Sequence, residues 1–206
     1  MRTNITIIDR PQCGHAVLYT GMRSGRANSP RLALVCAEQQ ECVWRKVSGV
    51  FGPLKTIGLI SDTHGLLRPE AVGALAGVQR IIHAGDIGSL EVLAALRSVA
   101  PVDAVRGNND KGRWAAKIPA SLTLNLAGVC IHILHDVKEM ESDPRDAGFD
   151  VVISGHSHRP AVTESDGVIF VNPGSAGPRR FTLPVTVGYL DLGGKARVAA
   201  RILKIL

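Results

Sequence analysis

An α/β fold is the class that the sequence predicts, and three observations support it. From Lys55 onward, short apolar runs suited to buried strands alternate with segments that show helical spacing. Polar residues with metal-binding side chains directly follow five of these runs. Near the end of the chain, Asp166-Gly167 and Gly193-Gly194 each separate two strand-like runs, which predicts antiparallel hairpins.

The predicted elements can be placed in order along the chain. A helix is predicted at Pro69–Ala76, because proline suits a first helical turn. A second helix follows Ser89, which can cap it, and a helical turn is predicted at Pro144–Gly148. The predicted strands are Thr56–Ser61, Arg80–His83, Val102–Arg106, Ser121–Leu126, Val129–Leu134, Asp150–Ser154, Ala161–Ser165, Val168–Val171, Val185–Leu190 and Ala196–Leu203.

Residues 1–54 differ from the rest of the chain. They hold seven Lys and Arg against three Asp and Glu, so they carry +4 of the formal net charge of +6. The polar stretch Gly21–Pro30 offers little to a core. We predict that residues 1–54 are a poorly ordered or non-homologous extension, or the product of a start codon placed too early. Residues 55–206 are predicted to form one domain.

The composition limits the partners. Hydrophobic residues make up 45% and charged residues 20%, as in ordinary globular proteins. No apolar run approaches the roughly 20 residues of a membrane helix, so we expect no membrane partner. Met1–Arg10 lacks the apolar segment of a signal peptide, which predicts a cytoplasmic location. The remaining +2 on residues 55–206 argues against nucleic acid as a partner.

Polar side chains at the ends of five predicted strands predict a metal site. In open α/β sheets, sites form beyond the carboxyl ends of the strands, where neighbouring loops face one another. Each candidate could instead be an ordinary turn or capping residue, but the recurrence favours a shared site. Three oxygen ligands and four imidazoles suit two ions about 3.5–4 Å apart. The candidates are Asp62, His64, Asp86, Asn108, His135, His156 and His158.

The order of these motifs resembles the calcineurin-like metallophosphoesterase superfamily. The chain is similar to its small bacterial and archaeal phosphodiesterase branch in its short length and in two loops, Asp62-Thr63-His64-Gly65 and Asn172-Pro173-Gly174-Ser175. The resemblance covers Lys55–Leu206. The matching motifs are Asp62-x-His64, Gly85-Asp86, Gly107-Asn108-x-Asp110, His135 and Gly155-His156-x-His158.

The resemblance implies a four-layer α/β/β/α sandwich with mixed sheets and a dinuclear site. Asp86 would bridge two divalent ions, which in this family are Mn, Fe, Zn or Ni, and manganese is expected to support activity in vitro. The family motifs divide the other ligands into Asp62, His64 and His158 for the first ion and Asn108, His135 and His156 for the second. The implied reaction is hydrolysis of a phosphodiester bond by a metal-bridging hydroxide that attacks phosphorus in line.

Asn109 stands where many members have a histidine that is proposed to protonate the leaving group. An amide cannot act as a general acid at neutral pH. Loss of a general acid typically lowers the rate about 10²–10⁴-fold when the leaving group is poor. We therefore expect a preference for activated or diester substrates over alkyl monoesters. Asp110, which would orient such a histidine, is left without that role because position 109 is asparagine. Arg106, Arg179 and Arg180 are candidate phosphate contacts, or else solvated surface side chains.

Asp136 marks a second departure, because close relatives often have glycine after the histidine. It could support a ligand, select the substrate, or be a solvated loop acid. Trp114 is expected to pack rather than to cover a nucleobase.

Other functions stay open. The favoured substrate is a small phosphodiester or nucleotide-like molecule. One alternative is a phosphomonoesterase of the same superfamily. Another is a non-catalytic interaction scaffold, because the retromer subunit with this fold is a binding platform. The complete ligand set favours an enzyme. Relatives often form homo-oligomers, which leaves that state open here.

Overall fold

The computed structural model describes residues 55–193 and 198–206, together with the backbone of four strands between residues 5 and 47. The chain divides into two compact units, Met1–Phe51 and Gly52–Leu206. The other residues of 1–54 lie outside the described part, so the predicted boundary and the predicted poor order of this segment stay predictions. In the first unit, one antiparallel sheet pairs β1 (Ile5–Ile8), β2 (Val17–Thr20), β3 (Arg31–Val35) and β4 (Val43–Val47) in that order.

The second unit contains ten strands that follow the predicted order closely, with ends that differ by one or two residues. They are β5 (Lys55–Ile60), β6 (Arg80–Ala84), β7 (Val102–Val105), β8 (Ser121–Leu126), β9 (Val129–Leu134), β10 (Val151–Ile153), β11 (Ala161–Ser165), β12 (Val168–Asn172), β13 (Thr186–Leu192) and β14 (Val198–Lys204).

These strands form two mixed sheets of five strands each. The first has the order β14-β13-β5-β6-β7, and the second has the order β11-β12-β10-β9-β8. In the first sheet β5, β6 and β7 are parallel, and in the second β9, β10 and β12 are parallel. The remaining neighbours pair antiparallel. The predicted hairpin at Asp166-Gly167 is confirmed, because both residues adopt the positive φ angles of a tight two-residue turn, and β13 and β14 pair antiparallel as predicted. A further two-residue turn, Ala127-Gly128, joins β8 to β9.

The two sheets face each other across one apolar core. Leu59 and Ile82 of the first sheet and Ile131 and Ile153 of the second are fully buried in it. Ile60 and neighbouring residues on the other face of the first sheet enter a second core, which the helices cover. Burial on both faces explains why the parallel strands appear in the sequence as nearly continuous apolar runs.

Two α-helices cover the first sheet: α1 (Pro69–Ala74) and α2 (Leu90–Arg97). Pro69 opens α1 and Ser89 is the N-cap residue of α2, as predicted. Short 3-10 turns occur at Ala115–Lys117 and Val137–Glu139. Within the described ranges, no helix is long and apolar enough to cross a membrane.

The outer layer over the second sheet is thin. The predicted helical turn at 144–148 is a series of hydrogen-bonded turns, in which the Phe149 N–H donates to Pro144 O. The Phe149 ring stacks on His132 of β9 with 4.4 Å between the ring centroids. These turns therefore cover part of the sheet's outer face, and the predicted α/β sandwich with mixed sheets is confirmed.

Candidate metal centre

Asp62, His64 and His158 bring their side chains together beyond the carboxyl ends of β5 and β10. His158 Nε2 lies 3.1 Å from Asp62 Oδ1. His64 Nε2 lies 3.4 Å from His158 Nε2 and 4.0 Å from Asp62 Oδ1. These three residues form the first cluster, and they meet the spacing that a bound metal ion requires.

The two oxygens of Asp62 have different surroundings. Oδ2 accepts hydrogen bonds from the Ser61 hydroxyl at 2.8 Å and the His156 N–H at 3.2 Å. Oδ1 is buried, and although His158 Nε2 lies 3.1 Å away, no hydrogen bond of acceptable geometry reaches this oxygen from the described residues. Leaving a buried carboxylate oxygen unpaired costs free energy, and a cation facing the two imidazoles would remove that cost.

Asp86 lies between the first cluster and the imidazole of His135. Its Oδ2 is 3.7 Å from His64 Nε2 and 3.4 Å from His135 Nε2. Burial alone would raise the pKa of the Asp86 carboxyl. Hydrogen bonds from His135 and Asn109 outweigh that effect and hold this pKa well below its usual range. Asp86 therefore presents a carboxylate at neutral pH.

Asn108, His135 and His156 form the second cluster. Asn108 Oδ1 lies 3.1 Å from His135 Nε2 and 3.2 Å from His156 Nδ1. The other ring nitrogen of His135, Nδ1, donates to Ala84 O at 2.8 Å, which fixes the ring with Nε2 facing the cluster. The first cluster is largely buried, whereas Asn108 and His156 are exposed, so the second cluster is the open side of the centre.

The spacing of these atoms fits metal coordination. Two ligand atoms that each lie about 2.1 Å from one ion are about 3.0–3.4 Å apart when they subtend about 90–110° there. The contacts between ligand atoms in both clusters measure 3.1–3.4 Å, with His64 slightly outside on the Asp62 side. Imidazole nitrogens and carboxylate and amide oxygens suit manganese, iron, zinc or nickel.

Backbone strain is concentrated at the candidate ligands. Left-handed φ angles are uncommon for residues other than glycine and persist where the surrounding structure enforces them. Such strain tends to collect at functional sites. Five of the eight non-glycine residues with positive φ in the described chain are candidate ligands: Asp62 (54°), His64 (46°), Asp86 (54°), His156 (65°) and His158 (57°).

Glycines leave space for the two carboxylates. A Cβ at Gly155 would lie 2.8 Å from Asp62 Oδ2 and 3.0 Å from Ala84 O. A Cβ at Gly107 would overlap the Asp86 carboxylate and its backbone nitrogen. The glycines beside the ligands are thus required by close approach of the backbone to the site.

Asp110 and Arg106 were predicted as catalytic residues, and both contact the backbone around the site. The Asp110 carboxylate accepts N–H bonds from Gly107 at 2.8 Å, Ile87 at 3.1 Å and Gly88 at 2.8 Å. It therefore joins the loops that carry Asn108 and Asp86. Arg106 Nη1 donates to Ile118 O at 2.9 Å. Direct roles for these two residues on the substrate stay predictions.

Asn109 directs its side chain at Asp86. Its Nδ2 donates to Asp86 Oδ2 at 2.6 Å, and its backbone N–H donates to Asp86 Oδ1 at 2.8 Å. Asn109 therefore orients the central carboxylate. Asp136 Oδ2 lies 3.6 Å from His156 Nε2, close enough to steady that ring electrostatically.

Three other polar or aromatic side chains of this region lie outside the two clusters. Trp114 packs against the core beneath the helices, as expected. His83 is fully buried beside the Thr63 hydroxyl, at 2.9 Å, and burial lowers its pKa to about 4. Arg179 lines a separate cavity of about 310 Å³ with Arg68, Val185 and Leu206.

Sequence reasoning missed the residues that hold the ligand loops from behind. Asn172 Nδ2 donates to Gly155 O at 2.6 Å, and the Ser175 hydroxyl donates to Asp62 O at 3.0 Å. In the sequence, the loop Asn172–Ser175 served only as a point of similarity to the small phosphodiesterase branch of the superfamily. Its polar residues after a buried strand were the signal that could have identified this role.

Comparison with known proteins agrees with the geometry. The family model of the calcineurin-like phosphoesterase superfamily domain matches residues 56–195. A probable metallophosphoesterase of Methanothermobacter thermautotrophicus is 36% identical over 140 residues, which cover 62% of this chain and 81% of the relative. A phosphodiesterase of Methanocaldococcus jannaschii is 30% identical over 154 residues, which cover 66% of this chain and 92% of the relative.

Solved structures have the same architecture. A novel archaeal phosphodiesterase superposes with a TM-score of 0.60 at 28% identity, covering 72% of this chain and 99% of that one. Vacuolar protein sorting 29 from Cryptosporidium parvum superposes with a TM-score of 0.60 at 19% identity, covering 73% of this chain and 98% of that one. This second likeness shows the fold alone. Because the family model covers most of the chain, the protein belongs to the calcineurin-like phosphoesterase superfamily and is a metal-dependent phosphoesterase.

Proposed function

We propose that the protein is a dinuclear metal-dependent phosphodiesterase. The observation that carries this proposal is the position of Asp86, whose Oδ2 lies within 3.7 Å of His64 Nε2 on one side and 3.4 Å of His135 Nε2 on the other. A single buried carboxylate facing both clusters is what a bridging ligand requires.

The two clusters divide the binding of the ions. Asp62, His64 and His158 would hold the first ion, and Asn108, His135 and His156 would hold the second, with Asp86 shared. Two bound divalent ions would supply charge neutralisation for the phosphate ester and activation of the attacking water. Hydrogen bonds from the Ser61 hydroxyl to Asp62 and from His135 Nδ1 to Ala84 O hold these two ligands in orientation.

The preference for diesters follows from Asn109. Its amide cannot donate a proton to a leaving alkoxide at neutral pH. Its Nδ2 instead donates a hydrogen bond to Asp86 Oδ2 at 2.6 Å. Substrates whose leaving group departs without protonation are therefore favoured. The similarity to a Methanocaldococcus jannaschii protein named as a phosphodiesterase supports the same substrate class.

The proposal also covers the identity of the metal and the class of substrate. We infer that manganese supports activity in vitro, because the carboxylate and amide oxygens of the two clusters suit it. We further infer a small phosphodiester or nucleotide-like substrate and no nucleic acid partner. The cytoplasmic location remains a prediction.

Hydrolysis of bis-p-nitrophenyl phosphate against p-nitrophenyl phosphate tests the proposal. With manganese, the wild-type protein is expected to show a kcat/KM for the diester at least about 10-fold above that for the monoester. Asn109→His is expected to raise alkyl monoester turnover relative to the diester, because an imidazole can protonate the leaving group.

The same assay separates the alternatives. Monoester turnover that exceeds diester turnover in the wild type would assign the protein to the phosphomonoesterases. Failure to bind metal, together with no turnover of either ester, would favour an interaction scaffold. A chelator-treated sample that regains activity with manganese provides the metal control.

A further inference from the structure

The ring of His156 faces a different group at each of its two nitrogens. Nδ1 lies 3.2 Å from Asn108 Oδ1, which is the spacing of two atoms that bind one ion. The other nitrogen, Nε2, lies 3.6 Å from Asp136 Oδ2. This distance is slightly longer than a hydrogen bond and is that of a close electrostatic contact. The Asp136 carboxylate therefore faces the ring nitrogen that is not directed at the second cluster.

His156 is the candidate histidine with the least support from the fold. Its side chain is 43% exposed, against 4% for His135 and 3% for His158. The His135 ring is also fixed by its hydrogen bond to Ala84 O. An exposed neutral imidazole can rotate and can carry its proton on either nitrogen. Either change would remove the Nδ1 lone pair from the second cluster, so this ring has the most to gain from a partner at Nε2.

Asp136 is itself held in place through its other oxygen. Oδ1 accepts a hydrogen bond from the Lys138 N–H at 3.0 Å, and the Glu139 N–H donates to Asp136 O at 2.9 Å. These two bonds begin the 3-10 turn Val137–Glu139, of which Asp136 is the N-cap residue. The carboxylate is therefore oriented before any ion binds.

The backbone keeps the two loops in register. Asp136 directly follows the candidate ligand His135, whose carbonyl oxygen accepts the Gly155 N–H at 2.9 Å. The rings of His135 and His156 meet edge to face with 5.3 Å between their centroids. Asp136 and His156 thus keep their relative position because each lies next to a residue of this backbone contact.

We propose that Asp136 is a positioning residue that holds His156 with Nδ1 directed at the second ion. The carboxylate favours the tautomer whose proton is on Nε2, which leaves the Nδ1 lone pair available to the ion. This inference rests on the proposed dinuclear centre. It selects ligand support among the roles open to Asp136, at a position where the glycine of close relatives could not provide it.

Asp136→Asn tests this role because it changes the contact with His156 and keeps the turn. The asparagine oxygen can still accept the Lys138 N–H, which places the amide NH₂ group toward His156 Nε2. A donor at that nitrogen favours the tautomer with the proton on Nδ1, which cannot bind a metal. We expect the second manganese ion to bind about 10-fold more weakly and the first ion to bind as in the wild type. Calorimetric titration of the metal-free protein with manganese measures both affinities.

Asp143→Asn is the matched control. The Asp143 carboxylate also accepts an N–H bond from the residue two positions later, Arg145, at 2.8 Å, and it is exposed in the segment before β10. We expect Asp143→Asn to leave both manganese affinities unchanged. The Tm of each metal-free variant is expected to lie within about 2 °C of the wild type, because each keeps its turn. A lower Tm in Asp136→Asn with both affinities unchanged would reduce Asp136 to a turn cap and overturn the proposal.

Nitrogen-15 NMR of the histidine rings gives a readout that does not depend on metal binding. The spectrum is recorded at about pH 8, above the ordinary histidine pKa of about 6.5. The His156 ring, assigned by its absence in His156→Ala, is expected to carry its proton on Nε2 in the metal-free wild type. Asp136→Asn is expected to move that proton to Nδ1 or to give a mixture of the two tautomers.

The outcomes distinguish this inference from the proposed function. Two manganese ions that bind with equal affinities in the wild type and in Asp136→Asn would overturn the positioning role and leave the dinuclear centre intact. A changed ratio of monoester to diester turnover in that case would make Asp136 a substrate selector instead. If the wild type binds only one ion, the dinuclear proposal fails. The NMR spectra then decide the inference, since the same tautomer in both proteins contradicts it and a changed tautomer in Asp136→Asn supports it.

Discussion

Asp86→Asn is expected to lower metal-dependent diester hydrolysis by about 10³-fold or more. The substitution keeps the size of the side chain and removes the charge that faces both clusters, at His64 and at His135. Losing one preorganised charged group at a reacting centre typically costs about 10²–10³-fold, and a bridging ligand serves two ions at once. The measurement is kcat/KM for bis-p-nitrophenyl phosphate, with metal affinity from calorimetric titration.

Asp166→Asn is the matched control for this substitution. Asp86 and Asp166 have nearly the same left-handed φ, at 54° and 52°, and asparagine tolerates that conformation. Asp166 lies in the β11–β12 hairpin turn and is exposed. We expect it to change neither activity nor metal affinity. An Asp86→Asn protein with more than about a tenth of wild-type turnover would contradict a bridging role.

Gly155→Ala is expected to reduce activity by about 10²-fold and to weaken metal binding at the first cluster. The added methyl group would lie 2.8 Å from Asp62 Oδ2, 2.9 Å from Ser61 Cβ and 3.0 Å from Ala84 O. Of these neighbours, the Asp62 carboxylate is the most easily displaced, because it can rotate about its side-chain bonds. We therefore expect it to turn away from His158. Displacing a catalytic group by about 1 Å can cost about 10²-fold.

Gly73→Ala separates this local effect from the general cost of changing a glycine. Gly73 lies in α1, is exposed, and has no atom within 4 Å of an added Cβ. Alanine there is expected to raise the free energy of unfolding by about 0.5–1 kcal/mol and to leave activity unchanged. Thermal unfolding and diester turnover of both variants check the pair. Wild-type activity in Gly155→Ala would show that Asp62 does not need its present orientation.

The strands and the ligand-bearing loops could be predicted because their signals are local. A buried parallel strand is an apolar run, and the residue after it faces its neighbours at one edge of the sheet. Asp62 and His156 are far apart in sequence, yet the His156 N–H contacts Asp62 Oδ2 at 3.2 Å as this rule implies. The hairpin at Asp166-Gly167 was equally predictable from its turn residues.

Other roles depend on contacts that no local pattern encodes. The Asp110 carboxylate accepts hydrogen bonds from the N–H groups of Ile87 and Gly88, more than twenty positions earlier in the sequence. Only the folded structure therefore shows that Asp110 holds the Asp86 loop in place. The thin outer layer at 144–149 contacts the sheet through the stacking of Phe149 on His132, which lie seventeen positions apart in the sequence.

Anomalous diffraction from crystals soaked with manganese tests the central claim, a dinuclear centre, most directly. The account predicts two peaks about 3.5–4 Å apart, with the Asp86 carboxylate in contact with both. One peak would be held by Asp62, His64 and His158, and the other by Asn108, His135 and His156. A single peak at full manganese occupancy, or two peaks that do not share Asp86, would contradict it.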